Sequence, residues 1–215
     1  MKDVCIVNGS LRGEKAASLR FLRDLSLRLP DAEYRKTLVT VKARVRDSYP
    51  AETLGCLARA DAIVLVFPLH NYGLPGALMR LLEDYHMYAA SGGDRRRGAR
   101  VYAIVNCAFP RAEKTTGEAI RVLRNFCRRL SLDWRFAICI GTGPVVVATK
   151  GFPFLYRKLK RAYAGIAADI AGNDTGARAD VFVKPVIPES VIAMIRRHYE
   201  RTGEMIEKDS RPRPA

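Results

Sequence analysis

Apolar and polar positions along this chain follow two rhythms. Short apolar runs rich in β-branched residues, at 3–8, 34–41, 62–67, 100–106 and 134–140, read as strands. Between and after them the apolar spacing opens to three and four, which predicts amphipathic helices over 17–29, 50–60, 75–88, 115–130 and 153–171. Two of the runs, AIVLVF and VYAIVN, carry almost no polar residue, as strands covered on both faces require. Strict alternation of five strands with helices predicts an α/β fold with a doubly wound parallel sheet and right-handed crossovers. An extra C-terminal helix is expected from Pro188 to Thr202, marked by Ile192, Ile195 and Tyr199. No repeat and no second boundary interrupts the pattern, so residues 1–206 read as one domain and 207–215 as a disordered basic tail.

Composition narrows the class. With 48% hydrophobic residues in 215, the chain can bury one substantial core. The longest apolar stretch, FAICIGTGPVVVA, is broken by Gly141, Gly143 and Pro144, and MKDVCIV lacks the flanks of a signal peptide. Five dispersed cysteines with no CxxC pair predict neither a disulfide framework nor a zinc site, and a reducing cytoplasm is the expected location. Three histidines form no obvious Ser/His/Asp triad or metal set, and no metal is expected.

A net charge of +15 changes the picture of the surface, which will attract anions. Part of the charge is local. Arg95, Arg96 and Arg97 follow SGGD in a loop, and RKLKR at 157–161 sits on a helix whose buried face is marked by Leu155, Leu159, Tyr163, Ile166 and Ile170. The second cluster reads as a solvated basic face.

Candidate chemistry lies in the loops that follow strands. After the first, VCIVNGSLRGEKAASLRFLRDL passes from strand to helix through Asn8, Gly9 and Ser10. A Walker A loop is excluded, because Gly9 to Gly13 is one residue short and Gly13-Glu14-Lys15-Ala16 ends wrongly; GxGxxG is absent. Ser10, Arg12, Lys15 and Ser18 remain. Such a loop can wrap a phosphate monoester at a helix N-terminus, or can be an ordinary strand-to-helix turn. After the third strand, PLHNYGLPGALMRLLEDY places Asn71, Tyr72 and Gly73 in a loop before Pro75-Gly76 opens a helix with Leu78, Leu81, Leu82 and Tyr85 inward.

At these residues the chain resembles the NAD(P)H-dependent FMN reductases of the flavodoxin-like fold. GSLR followed by Ser18 is similar to that family's phosphate loop. Pro68, Asn71, Tyr72, Pro75, Gly76 and Leu78 match its loop P-E-Y-N-x-x-[IL]-P-G-x-L, with Leu69-His70 standing where the motif has Glu-Tyr. VNCAFPRAE at 105–113 follows the fourth strand, where related flavoproteins place a loop along the ring; it lacks the family's glycine-rich stretch. The resemblance covers roughly the first 145 residues. It implies a five-stranded sheet of order 2-1-3-4-5, whose topological switch point brings the first and third loops together. It further implies FMN as cofactor. Ser10, Arg12 and Ser18 would take the phosphate with Lys15 alongside; Pro68, Leu69, His70, Asn71, Tyr72 and Gly73 would line the ribityl chain and ring; Asn106, Cys107 and Phe109 would close the other edge. The implied reaction is hydride transfer from NADPH or NADH through flavin to a quinone, flavin, azo or nitroaromatic acceptor, with the flavin carrying the chemistry. Arg95–Arg97 or Lys15 would favour the 2′-phosphate of NADPH. A homodimer is expected through the third helix, by way of Met79, Met87 and Tyr88, and neither membrane nor nucleic acid is expected as a partner. Two alternatives stay open: a flavodoxin-like electron carrier, and an anion- or nucleic-acid-binding α/β domain without flavin.

Overall fold

The computed structural model describes residues 1–12, 16–41, 47–93, 96–148, 153–172, 176 and 178–184, with isolated positions from 190 onward. Its strands are β1 (Lys2–Asn8), β2 (Tyr34–Thr40), β3 (Ala62–Pro68), β4 (Arg100–Asn106), β5 (Asp133–Ile140) and β6 (Val181–Val183). All pair in parallel, in the order β2-β1-β3-β4-β5-β6. The helices are α1 (Ala17–Ser26), α2 (Ala51–Arg59), α3 (Gly76–Ala90), α4 (Gly117–Arg129), α5 (Gly143–Ala148) and α6 (Pro153–Ala171).

The expected order 2-1-3-4-5 is present, but the sheet has six strands, not five. β6 is only three residues long, flanked by Asp180 and Lys184, too short for any two-residue periodicity to register. Two helix boundaries also differ. α1 stops at Ser26 because Pro30 ends the run, although Leu29 stays fully buried in the turn beyond it. α4 begins at Gly117, after a 3₁₀ turn over Ala112–Lys114. α5 occupies GPVVVA, which its sequence disguises as an apolar strand extension. The predicted C-terminal helix falls outside the described residues apart from scattered positions, and the 207–215 tail lies wholly outside them.

Alternation along the strands divides the core. Cys5, Val7, Ile63, Leu65, Phe67, Val101, Ala103 and Val105 pack toward α2, α3 and α4. Val4, Ile6, Val64, Val66, Tyr102 and Ile104 pack toward α1 and α6. α6 is fixed to the sheet by polar contacts as well as by Leu159, Tyr163, Ile166 and Ile170. Its fully buried Asp169 accepts hydrogen bonds from Arg135 (Nε 2.8 Å, Nη2 3.0 Å) and from the Tyr102 hydroxyl (2.7 Å). Its last carbonyls accept from Lys2 Nζ (Ile170 at 2.6 Å, Ala171 at 3.1 Å) and from Arg100, which reaches the carbonyls of Asp169 and of Gly172 (2.6 Å). Cations at a helix C-terminus satisfy carbonyls that have no intrahelical partner.

Candidate functional site

In a parallel sheet every strand delivers its following loop to the same edge, and β1 beside β3 beside β4 gathers three loops there. Gly9 begins the first. Its N–H donates to the Val66 carbonyl at 2.7 Å, and a Cβ at this position would lie 2.7 Å from Phe67 Cβ and 3.0 Å from Leu78 Cδ2. No other residue lets the loop press so closely on β3 and α3. The Ser10 N–H then donates to Asn8 Oδ1 at 3.2 Å, and the Arg12 N–H to Ser10 Oγ at 3.3 Å. Ser10 is buried, whereas Leu11 and Arg12 stand exposed. α1 starts from Ala16 with no side-chain cap and no acidic residue in its first turn. Its first N–H groups are therefore suited to an anion.

Under this loop lies a buried polar floor, from side chains at the ends of β1 and β4 and the start of α1. Asn106 Nδ2 donates to Ser18 Oγ at 2.9 Å and to the Phe67 carbonyl at 3.1 Å, and both Asn106 and Ser18 are buried. Asn8 is 1% exposed, and among the described residues its Nδ2 has no hydrogen-bond partner. A buried amide donor left unmatched is costly unless a ligand oxygen or a water meets it. Asn8 escaped the sequence reading, though a polar residue closing an otherwise apolar strand was a visible signal.

The loop after β3 is a hairpin in miniature. His70 and Gly73 exchange backbone hydrogen bonds (3.0 and 2.7 Å) around Asn71 and Tyr72, whose φ values are 46° and 63°. Positive φ at both central residues is the type I′ geometry. Asn tolerates it; Tyr does so only at a cost. Tyr72 is 53% exposed and stacks on Phe109, itself 50% exposed, with centroids 5.9 Å apart and planes 10° from parallel. His70 and Asn71 are exposed, Pro68 and Gly73 half-buried. Leu69, in place of the motif's acidic residue, turns its side chain onto the core, while its N–H donates to the Asn106 carbonyl at 2.8 Å.

Phe109 stands on a loop gripped from the next strand. Gly143 N–H donates to the Cys107 carbonyl (2.8 Å) and Thr142 N–H to the Phe109 carbonyl (3.0 Å). The approach needs glycine: a Cβ on Gly141 would lie 2.4 Å from the Pro110 oxygen, and one on Gly143 2.8 Å from Asn106 Cβ. This Gly-Thr-Gly clamp, too, was missed; the signal was a pair of glycines at the end of an apolar strand. Cys107 is buried, its Sγ 3.3 Å from the Phe109 carbonyl, and belongs to the core edge.

The structure thus brings Ser10, Arg12, Ser18, Pro68, Leu69, His70, Asn71, Tyr72, Gly73, Asn106, Cys107 and Phe109 onto the loops and strand ends of one edge of the sheet. Lys15 lies outside the described residues, as does Arg95. Arg96 does not join the crevice: its guanidinium pairs with Asp61 and its N–H donates to the Ala58 carbonyl, which puts it at the amino end of β3. The expected contact of this loop with a nicotinamide 2′-phosphate therefore has no geometric support at Arg96. Among the described residues no group of three or more potential ligands could hold a metal ion.

No protein-family model matches the chain, and no curated protein matches it in sequence. Solved structures do. The chain is similar to an NADH:FMN oxidoreductase in its apo form (TM-score 0.60, 10% identity, 81% of this chain and 92% of that one). It is similar to an NADPH-quinone reductase from P. pentosaceus (TM-score 0.55, 16% identity, 81% and 99%) and to an azoreductase from Bacillus anthracis (TM-score 0.51, 13% identity, 80% and 99%). At these identities the likeness is one of fold.

Proposed function

We propose that this chain is an FMN-dependent NAD(P)H oxidoreductase that passes electrons to a planar small-molecule acceptor of the quinone, flavin, azo or nitroaromatic kind. The observation that carries the reading is Tyr72, held at φ 63° and half-exposed beside Phe109 at the edge where the uncapped α1 begins. A strained backbone that presents an aromatic ring to solvent is retained where a ligand uses it. The fold's likeness to an NADH:FMN oxidoreductase and an NADPH-quinone reductase supports it.

The residues present suit FMN at both ends. The α1 N–H groups, the Ser10 and Ser18 hydroxyls and Arg12 offer donors for a phosphate, with the unmatched Asn8 amide beneath them. Tyr72 and Phe109 offer a flat apolar face. At 5.9 Å between centroids they leave no gap for a third ring, since stacking on both sides needs about 7 Å. The isoalloxazine would lie against one side of the pair, with its other face open to nicotinamide and acceptor in turn. Bound FMN supplies hydride acceptance and electron release, while the protein binds, orients and shields. No side chain need move a proton.

The proposal extends to location and assembly. All five cysteines are free thiols, in keeping with a reducing cytoplasm. Between α3 and α4 runs a groove of about 370 Å³ lined by Met79, Leu82, His86, Met87, Val122 and Phe126 among others, and Met87 is 66% exposed. A second copy seated there would form the homodimer. Tyr88, also expected there, is half-buried with its ring beside Gly93 of the same chain.

The test is titration of the apoprotein with FMN, followed by NADPH and NADH turnover with a quinone. Ser10→Ala/Arg12→Ala should lose charge-assisted phosphate contacts of about 1.5–3 kcal/mol each before coupling, and so weaken FMN at least tenfold. A wild-type chain that takes up no flavin ends the proposal; flavin binding without NAD(P)H turnover reduces it to an electron carrier.

A further inference from the structure

Part of the exposed basic face of α6 borders a cleft. Arg157, Lys160, Arg161 and Ala164, at helical spacings of three and four, converge on Arg28 at the far end of α1 to line a cleft of about 440 Å³. Among the described residues none of the four cations is in an ion pair. Elsewhere some exposed arginines do find acids: Arg121 with Glu118, Arg124 with Asp180, Arg35 with Asp3. Like charges three and four apart on one helix destabilise it. Here two such pairs, Arg157 with Lys160 and Arg157 with Arg161, line the same cleft as a third arginine, Arg28, in the turn after α1.

We infer that this cleft is a binding site for a compact anion carrying two or more linked phosphoryl groups. Four positive charges lie within about two turns of α6 and one residue of its neighbour, a span of roughly 10 Å, and a single carboxylate would leave most of them unmatched. Three of the four are arginines, whose planar forks suit phosphoryl oxygens. The lining holds no aromatic side chain on which a base could stack, so recognition rests on charge rather than on a nucleobase. Ala164 leaves the wall low where a larger residue would fill it. The site is separate from the crevice: Arg28 follows the C-terminal end of α1, and it is the N-terminal end that faces the loops after β1 and β3. It therefore stands or falls independently of the flavin reading.

The probe is sodium tripolyphosphate, titrated calorimetrically at low salt into the full chain with FMN present in excess to occupy any phosphate loop. Tripolyphosphate should bind at least tenfold more tightly than orthophosphate, and affinity should fall as salt rises. Lys160→Glu/Arg161→Glu should weaken it by tenfold or more, whereas Arg121→Glu on α4 should leave it unchanged. Lys160→Gln/Arg161→Gln guards against misfolding: relieved of repulsion, it should melt at or above the wild-type temperature without ligand, and should lose the rise in melting temperature that tripolyphosphate gives the wild type. Equal binding by wild type and the Glu variant overturns the inference. So does displacement of tripolyphosphate by FMN, or tighter binding of a mixed-sequence oligonucleotide than of tripolyphosphate at the same salt.

Discussion

Tyr72 concentrates the conflict between stability and use in one residue. A tyrosine at φ 63° is strained, and the residue a type I′ turn favours after Asn71 is glycine. Tyr72→Gly should therefore raise thermal stability, by about 1 kcal/mol, while weakening FMN several-fold through loss of the ring; a melt and a flavin titration on one preparation read both. A variant that loses stability and keeps flavin would make the tyrosine a packing residue. Gly9→Ala works in the opposite sense, since its Cβ would meet Phe67 at 2.7 Å, and should cost about 1–3 kcal/mol and disturb the loop after β1 together. Thiol chemistry gives a third check. Burial pushes Cys5, Cys127 and Cys139 up to about 12, Cys107 is buried, and Cys56 is part-exposed. A native thiol titration should find one fast group, abolished by Cys56→Ser, with the rest appearing only on unfolding. At this scale the sequence named the loops but could not tell which side chains face in. Ser10 and Ser18 carried a visible chemistry, whereas the unmatched amide of Asn8 exists only once its neighbours are fixed in space.

Among elements, α6 depends most on charge. Burial would raise Asp169, but Arg135's hydrogen bonds, then the Tyr102 hydroxyl and nearby Arg178, hold its carboxyl below the usual value of 3.8. A carboxylate depressed in the folded state contributes stability that is fully present above its unfolded pKa and is lost as pH falls through the lower, folded value. Stability should thus decline below about pH 4, and less steeply in Asp169→Asn. At neutral pH that variant leaves Arg135 buried without its counter-charge and should cost about 3–5 kcal/mol, measured by denaturant unfolding. A variant of wild-type stability would show that Asp133 suffices as the counter-charge of Arg135. The helical period at 153–171 was plain in sequence, because Leu159, Tyr163, Ile166 and Ile170 repeat at three and four. Its ionic anchor was not, because Arg135 and Tyr102 sit in strands whose remaining central positions are apolar, and nothing in the sequence says which of them faces α6. β6 was lost for a different reason: three residues cannot display a period, and only the neighbouring β5 defines them as a strand.

At the scale of the molecule, the parallel sheet and the order of its first five strands were legible, since alternation of strand and helix leaves few other topologies. The use of charge was not, because a +15 total does not say which cations are already answered by acids in the fold. Assembly belongs here too. Light scattering should give a dimeric mass for the wild type, and Met87→Glu, placing a carboxylate in the groove between α3 and α4, should shift it to monomer; a dimer that survives the change pairs through another face. One last property follows from the grip of Lys2 on the carbonyls of Ile170 and Ala171. Lys2, which opens β1, is held by the last two residues of α6, so β1 must wait until α6 has been synthesised before its final contacts exist. During that interval β1 has both of its strand partners in sheet order but no α6 to cover its neighbours, and the nascent sheet presents an apolar face. A bulky segment placed directly ahead of Lys2 would crowd that closing contact.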